Sequence, residues 1–264
     1  MQRSDPLRTP PAAAVAEALP AVDLGALADA YRQAAEPLAR RVVVCGGTGC
    51  VANGALEVQK AFEASIAAAG LPVVAQLDCH ECGSTPEDAV HVSASGCQGF
   101  CQMGPLVTVL PENILYTKVK AADVQEIVDT TLVGGEVVER LLYRDLETGE
   151  PCRGPEEIPF YRLQTRTVLR DCGTIDPEDI REYIALEGYE AARDAYTRMT
   201  PEEVCGEVEA SGLRGRGGGG FPTGRKWSLT RVQPGDVKYV ICNGDEGDPG
   251  AFMDRSIMEG NPHR

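Results

Sequence analysis

The chain has 264 residues, and its 40 Asp and Glu against 25 Lys and Arg give a formal net charge of −15. This acidic balance argues against nucleic acid as a partner, because nucleic-acid binders present a basic face to the phosphates. No apolar run reaches the roughly 18 residues that a membrane span needs, so we expect no direct membrane insertion. The length allows two domains of ordinary size.

Ten cysteines are many for a chain of this composition. The Pro/Ala-rich start, residues 1–20, lacks the unbroken apolar core of a signal peptide and is predicted to be a flexible tail. Without a secretion signal, metal ligation is a better first explanation of the cysteines than disulfides. We therefore expect a cytoplasmic protein that uses part of its thiols to hold metal.

Residues 21–145 are predicted to form an α/β domain. Apolar residues at helical spacing in "VDLGALADAYRQAAEPL" predict a first helix. The buried-type strand "RVVVC", which ends on Cys45, precedes a second helix capped by Asn53. The strings "PVVAQL" and "AVHVSAS" predict two more strands, and "PLVTVLPENILYTKV" predicts a hairpin. A last helix, "AADVQEIVDTTL", completes the order α-β-α-β-β-β-β-α.

The acids, prolines and glycines of residues 146–162 predict a linker to a second domain, residues 163–264. Its first helix is predicted to be capped by Asp176, with Pro177 at the first helical position. A later helix has the capping box Thr200-x-x-Glu203. The apolar run "KYVICN" predicts a strand buried on both faces. These elements are too few to close an open α/β sheet, so the domain is expected to be incomplete.

Two cysteine pairs each follow a predicted strand: Cys45 with Cys50, and Cys97 with Cys101. Loops at adjacent strand ends would bring the four thiolates to one point, as an iron–sulfur cluster requires. The helix starting near Asn53 would direct its positive end at the anionic cluster. Glycines beside the cysteines would let backbone amides approach the sulfur atoms.

Zinc is an alternative for part of this set. Cys79 and Cys82 in "DCHEC", taken with Cys97 and Cys101, have a spacing close to that of a zinc ribbon. This interpretation leaves Cys45 and Cys50 without a role and makes His80 a bystander. Buried thiols without any metal are a third interpretation.

The strings "VCGGTGC" and "SGCQGFCQMGPLV" resemble the thioredoxin-like [2Fe–2S] ferredoxin domain over about residues 20–145. That domain occurs beside the flavoprotein subunit of respiratory complex I, and fused in front of the diaphorase subunit of NAD-linked hydrogenases and formate dehydrogenases. The resemblance implies a thioredoxin-like fold and a [2Fe–2S] cluster held by Cys45, Cys50, Cys97 and Cys101. "DCHEC" is not part of the family pattern.

A second motif, "GLRGRGGGGFPTGRKW" at residues 212–227, is basic in an acidic chain. Five basic side chains and no acidic one lie between Gly212 and Arg231. Backbone N–H groups without a Cβ can approach phosphate oxygens, and the arginines add positive charge, so the loop is predicted to bind an anion. It is neither a Rossmann nor a Walker loop, because a helix precedes it and Trp227 follows Lys226. A flexible glycine linker is the alternative.

This loop, with "VICNGDEGDPGAFMDR" after it, resembles the FMN- and NADH-binding subunit of complex I and its hydrogenase and formate dehydrogenase relatives. The resemblance covers about residues 160–264, and Gly219 stands where the family usually has Ala. It implies roles for the following residues in holding the cofactors: Gly215, Arg216, Gly217, Gly218 and Gly220 around the phosphates, Lys226 on FMN, Phe221 against a ring of NADH, and Asn243, Asp245 and Glu246 on flavin and nicotinamide groups. For the three polar residues at 243–246, a solvated acidic turn is the alternative.

The two resemblances together imply a thioredoxin-like [2Fe–2S] ferredoxin domain followed by the first part of an α/β FMN/NADH-binding domain. They imply hydride exchange between NADH and FMN, and one-electron relay through iron–sulfur clusters to other subunits of a redox complex. A [4Fe–4S] cluster is expected only in a C-terminal region that this sequence lacks. The alternatives are a [2Fe–2S] carrier or docking fragment without a functional flavin site, and a zinc-binding interaction module.

Overall fold

The computed structural model describes residues 22–77, 85–235 and 237–264. The predicted tail at residues 1–20 and the Cys79–Cys82 motif with His80 lie outside the described residues. The domain limits given above remain predictions.

One five-stranded sheet forms the centre of the N-terminal part, in the order β2-β3-β1-β4-β5. The strands are β1 (Leu38–Cys45), β2 (Val73–Val74), β3 (Ala89–Ser95), β4 (Val107–Leu110) and β5 (Ile114–Tyr116). The central strand β1 is parallel to β3 and antiparallel to β4, and β4 and β5 form a hairpin. All predicted strands of this domain and the hairpin are therefore confirmed.

Apolar side chains explain why β1 lies at the centre. Its last four residues, 42–45, are all buried, as expected of a strand covered on both faces. Helix α1 (Leu24–Ala35) begins where the Asp23 carboxylate accepts a hydrogen bond from the Ala26 N–H at 3.0 Å. Helix α3 (Ala55–Ala68) turns Val58, Phe62 and Ile66 inward at helical spacing, where they join the core of the sheet.

The predicted cap of α3 is wrong by one residue. Gly54, with φ of 95°, is the N-cap, because a left-handed residue is needed where the short helix α2 (Thr48–Ala52) turns into α3. The Asn53 amide instead donates a hydrogen bond back to the Gly49 carbonyl at 2.6 Å. The helix start that lies beside the cysteines is therefore that of α2, not that of α3.

A helical segment from Ala121 to Val133 lies where the sequence predicts the last helix of this domain, and it packs against α3. It passes from a 3₁₀ turn (Ala121–Asp123) through α4 (Val124–Ile127) into a π-helical turn (Val128–Val133). The Tyr116 hydroxyl on β5 is hydrogen-bonded to the Thr131 hydroxyl at 2.6 Å and accepts from the Val138 N–H at 3.1 Å. These bonds satisfy a phenol that is otherwise fully buried.

The segment that follows is folded against this core. Strands β6 (Tyr143–Arg144) and β7 (Pro151–Cys152) pair antiparallel, and a 3₁₀ turn (Pro155–Glu157) leads into the short helix α5 (Pro159–Arg162). Ile158 is completely buried and belongs to the core of the sheet, as does Cys152. Much of the predicted linker is thus part of the packed structure, which its low apolar content did not indicate.

The remaining described residues are mainly helical. The helices are α6 (Ile180–Ala185), α7 (Glu190–Arg198), α8 (Pro201–Ala210), α9 (Thr223–Arg231) and α10 (Met253–Gly260). Helix α8 begins with the predicted capping box, in which Thr200 and Glu203 bond each other's backbone N–H. No helix within the described ranges is both long enough and apolar enough to cross a membrane.

Two predictions in this region are wrong. The Asp176 cap fails because Asp176 instead accepts from the Glu178 N–H in a turn, and the helix begins later with Asp179 as N-cap. The strand "KYVICN" fails because residues 237–247 form no strand, and Val240 and Ile241 are 100% and 86% exposed. A buried strand needs partners on both edges, and no described strand pairs with this one.

A buried ion pair joins α6 to the sheet. The Arg41 guanidinium on β1 donates two hydrogen bonds to the Glu182 carboxylate, and the side chains are only 14% and 8% exposed. Glu182 also accepts from the Asp176 N–H at 2.9 Å. Burial opposes the charge on Arg41, yet the carboxylate prevails and raises the pKa of Arg41. Residues 176–185 are therefore fixed to the sheet by charge as well as by packing.

We predict that Glu182→Ala lowers the free energy of unfolding by about 3–5 kcal/mol, because it leaves a buried guanidinium without its partner. Urea denaturation followed by circular dichroism measures the change. The control is Arg198→Ala, which breaks an exposed pair with Asp194 and should cost less than about 1 kcal/mol. Equal losses in the two variants would contradict the assigned role of Glu182.

Candidate functional site

The four cysteines of the two pairs lie at one edge of the sheet. In the parallel pairing of β1 with β3, Cys45 is opposite Ser95, so the chain reaches Cys97 two residues beyond the same edge. Cys50 lies on α2, directly after β1, and Cys101 begins the 3₁₀ turn Cys101–Met103. The structure thus brings together the cysteines that the sequence predicts as ligands.

The thiols are in mutual contact. Sγ of Cys97 lies 3.8 Å from Sγ of Cys101, and the Gly99 N–H donates to Cys97 Sγ at 3.4 Å. Cys45 Sγ donates to the Gly96 carbonyl at 3.8 Å, and Cys45 lies close enough to Cys50 and Cys97 for both thiols to shift its pKa. Cys45 and Cys50 are buried, whereas Cys101 is exposed at the mouth of the site.

Crowding of the sulfur atoms controls their ionisation. The hydrogen bond with Cys50 raises the pKa of Cys45 to about 11 and lowers the pKa of Cys50. The hydrogen bond with Cys45, followed by burial, raises the pKa of Cys97. Burial and the charge of Cys97 raise the pKa of Cys101. Four thiolates in this space would repel one another, and positively charged iron is the kind of partner that removes the repulsion.

Glycines lie where any side chain would collide with the sulfur atoms. A Cβ added to Gly47 would lie 2.9 Å from Cys97 Sγ, and one added to Gly104 would lie 2.5 Å from Cys50 Sγ. Within the described residues, no three His, Cys, Asp or Glu side chains are grouped to surround one metal ion. The two cysteine pairs would supply the four thiolates with which proteins hold a [2Fe–2S] cluster.

Helix α10 lies over the mouth of this site. A cavity of about 220 Å³ has Cys97 and Cys101 on one side and Phe252, Arg255 and Glu259 of the α10 region on the other. The backbones meet closely, since a Cβ on Gly96 would lie 2.2 Å from the Cα of Gly260. The motif that follows the glycine loop is therefore next to the cysteines.

The glycine loop itself is an exposed turn between α8 and α9. Residues 212–219 are all exposed, and Gly218 and Gly220 have φ of 99° and 57°. The Gly215 N–H donates to the Phe221 carbonyl at 2.9 Å, and Arg214 Nε donates to the Gly220 carbonyl at 2.6 Å. The loop is thus closed on itself, with Gly217 and Gly219 open to solvent and close to no other group.

The predicted cofactor side chains around the loop fall into two groups. Phe221 and Lys226 line one open depression with Leu229 and Gln233, and the Arg225 guanidinium lies 5.9 Å from the centre of the Phe221 ring. The second group bonds within its own segment: Asn243 Oδ1 accepts from the Asp245 N–H, and the Glu246 carboxylate accepts from the Asp254 and Arg255 N–H groups. In the described part of the chain, no hydrogen bond joins this second group to the loop.

The sequence analysis did not find Gly104. This glycine follows the Cys101 turn and lies against Cys50 Sγ, so its hydrogen atom occupies a place that no side chain can take. The available signal is the string "CQMGPLV", in which a glycine precedes a proline directly after a cysteine pair. The roles of the predicted cofactor residues remain predictions, and the structure reports only where they lie.

Two family models match the chain. Residues 10–132 match the thioredoxin-like [2Fe–2S] ferredoxin family, and residues 208–264 match the Nuo51 FMN-binding domain. The predicted fold class is therefore confirmed: the chain carries a thioredoxin-like [2Fe–2S] ferredoxin domain and, after it, part of a Nuo51-type FMN-binding domain.

Individual relatives agree with this. The chain is 57% identical over 102 residues to the NADP-reducing hydrogenase subunit HndC of Solidesulfovibrio fructosivorans, covering 39% of this chain and 20% of the relative. It is 46% identical over 88 residues to an NADH-quinone oxidoreductase subunit of Escherichia coli, covering 33% and 20%. The chain thus covers about a fifth of the length of the curated relatives that it matches.

Among solved structures, a thioredoxin-like [2Fe–2S] ferredoxin from Aquifex aeolicus is 31% identical, with a TM-score of 0.30, covering 43% of this chain and 97% of the ferredoxin. An NAD⁺-reducing [NiFe]-hydrogenase chain is 20% identical, with a TM-score of 0.31, covering 89% of this chain and 35% of that one.

We predict that Gly104→Ala weakens iron retention about 10- to 100-fold, because the new methyl group would displace Cys50 Sγ. Competition against an iron chelator, with iron and acid-labile sulfide counted per chain, measures the loss. Gly206→Ala on α8 is the control, since a Cβ there meets no neighbour within 4 Å. Undiminished retention in Gly104→Ala would show that Gly104 does not shape the site.

Proposed function

We propose that this chain is part of an NAD(H)-linked electron-transfer subunit, a diaphorase that exchanges hydride between NADH and FMN and relays single electrons to a partner subunit. The observation that carries the proposal is the presence, on one chain, of four converging cysteines and an arginine–glycine loop, each inside the matching family model. The names of the relatives, a hydrogenase subunit and an NADH-quinone oxidoreductase subunit, support the reaction class.

In this proposal Cys45, Cys50, Cys97 and Cys101 hold the [2Fe–2S] cluster. The cluster supplies one-electron transfer when bound. The chain places the two inner thiols in the core and leaves Cys101 at the surface, so one edge of the site faces outward. The Gly99 N–H directed at Cys97 Sγ stabilises negative charge on that sulfur.

The loop residues would bind the flavin and dinucleotide. FMN supplies the conversion between a two-electron hydride and single electrons. Exposed amides at Gly217 and Gly218 and the amide of Gly220, with Arg216, offer donors and charge to phosphate groups. Gly215, whose own N–H donates to the Phe221 carbonyl, would line the phosphates without a side chain to block them. In the same proposal, Lys226 contacts FMN, Phe221 lies against a ring of NADH, and Asn243, Asp245 and Glu246 bond flavin and nicotinamide groups.

The partners that we propose are NADH and the other subunits of a multi-subunit redox complex in the cytoplasm. The eight cysteines of the described residues are all free thiols, which suits a reducing compartment.

A second candidate function is a [2Fe–2S] carrier or docking unit without a working flavin site. It is favoured by the exposed segment 237–247, which pairs with no described strand, and by the bonding of Asn243 and Glu246 within their own segment. The two functions differ in one observable, which is whether the purified chain binds FMN.

We predict that the reconstituted chain holds two irons and two sulfides and, when reduced, gives the electron paramagnetic resonance signal of one [2Fe–2S] cluster. Cys45→Ser and Cys97→Ser should each lose or strongly alter the signal, because each removes a thiolate ligand. Cys205→Ser on α8 is the control and should leave the signal unchanged. Zinc in place of iron, with Cys45→Ser silent, would instead support the zinc-ribbon alternative.

We predict that Lys226→Ala weakens FMN binding about 10- to 100-fold, the effect of losing one charged contact of about 1.5–3 kcal/mol. Quenching of flavin fluorescence on titration with the chain measures the affinity. Lys60→Ala on α3 removes the same charge far along the sequence and should leave the affinity unchanged. If the unaltered chain binds no FMN, the carrier function is the one that this chain performs.

A further inference from the structure

Four aromatic rings surround the loop between the second pair of cysteines. Phe100 lies between Cys97 and Cys101 in the sequence, and its ring stacks on Phe160 with centroids 4.7 Å apart and an interplanar angle of 11°. Tyr143 and Tyr161 meet the same ring edge-on at 5.4 Å and 5.6 Å. Three of these rings come from the segment that follows the ferredoxin match, so this segment forms one wall of the cysteine site.

Tyr161 differs from the other three in carrying a buried hydroxyl without a hydrogen-bond partner among the described residues. A buried phenol without a partner is destabilising by about 1–3 kcal/mol, and nearly all buried polar groups in folded proteins are hydrogen-bonded. The Tyr161 ring packs against the core that includes Cys45 and Cys50 and against Phe100, which lies between Cys97 and Cys101.

The charges around Tyr161 come from the cysteines. Burial, with repulsion from ionised Cys45, Cys97 and Cys50, raises the pKa of Tyr161, although Arg166 opposes the shift. A phenol, with an ordinary pKa of about 10, is protonated at neutral pH and can donate its hydrogen to a negatively charged acceptor. The acceptors that a [2Fe–2S] cluster would bring to this place are thiolate and sulfide sulfur atoms.

We propose that the Tyr161 hydroxyl donates a hydrogen bond to a sulfur atom of the cluster held by Cys45, Cys50, Cys97 and Cys101, and so raises the cluster's reduction potential. The inference rests on the proposed cluster site. It assigns a positioning and tuning role to a residue outside the ferredoxin match at residues 10–132.

The direction of the effect follows from charge. Reduction adds an electron to the cluster, and the negative charge on its sulfur atoms grows. A donated hydrogen bond stabilises the reduced state more than the oxidised state, so it raises the potential. Removal of the hydroxyl should lower the potential, while the ring can keep its packing against Phe100.

The test is Tyr161→Phe in the reconstituted chain. The midpoint potential, measured by a redox titration followed by electron paramagnetic resonance, should shift to more negative values. After exchange into D₂O, the unaltered chain should show a coupling to an exchangeable deuteron from the hydroxyl, and the variant should lack it. Iron and sulfide per chain and the thermal unfolding midpoint establish that the variant is folded and loaded.

The matched control is Tyr143→Phe, which removes a phenol hydroxyl from the same aromatic group. Its potential should stay at that of the unaltered chain, because the Tyr143 hydroxyl is not a buried group without a partner. A loaded Tyr161→Phe with unchanged potential and unchanged deuteron coupling would overturn the inference alone. An unaltered chain that takes up no [2Fe–2S] cluster would overturn the proposed function and this inference together.

Discussion

The parallel pairing of β1 with β3 is the constraint on which the cysteine site depends. It places Cys45 opposite Ser95, and the Gly46 N–H donates to the Ser95 carbonyl at 2.8 Å just beyond the strand. A shift of one residue in this register would move every side chain of β1 to the opposite face of the sheet. The buried valines 42–44 resist such a shift, because it would exchange the residues packed on each face. The same apolar run that stabilises the sheet therefore fixes where the thiols meet.

Glycines beside the cysteines are the second requirement of the site. Sulfur atoms are large, and the space for a cluster exists only where neighbouring residues have no side chain, as at Gly47 and Gly104. The crowded thiols shift one another's ionisation, so the pKa of Cys45 is raised and that of Cys50 is lowered. Four thiolates at one site would add negative charge to a chain that is already acidic, which is electrostatically unfavourable. In the proposed cluster, iron would therefore have an electrostatic role as well as a redox role.

Features with a strong local signal could be predicted from the sequence. The apolar strands, the amphipathic helices and the Thr200–Glu203 capping box depend on side chains a few residues apart, and the structure contains them. The caps at Asn53 and Asp176 are wrong because other residues nearby, Gly54 and Asp179, suit the backbone better. The "KYVICN" strand is wrong because strand formation depends on pairing with partners that are distant in sequence.

That the four cysteines lie together could be predicted because their spacing is a chemical pattern, whereas the residues packed around them could not. Ile158 is buried, and so is the hydroxyl of Tyr161, in a segment rich in acids and prolines. Neither residue belongs to a run of apolar residues with helical or strand periodicity. Their positions follow from tertiary packing on Phe100 and the core of the sheet. These contacts join residues that are distant in the sequence, so no local sequence pattern predicts them.

The segment between the two matched regions has a physical consequence for electron transfer in the proposed function. It is attached to the ferredoxin sheet at Ile158 and again through Glu182 and Arg41, and α10 lies over the cysteine mouth. A tethered but mobile connector would let the distance between flavin and cluster vary. Packing at these points instead restricts the approach of the FMN-binding part to one side of the cysteines. Electron transfer slows steeply with distance. A folded connection can fix the distance between flavin and cluster, whereas an unstructured linker cannot.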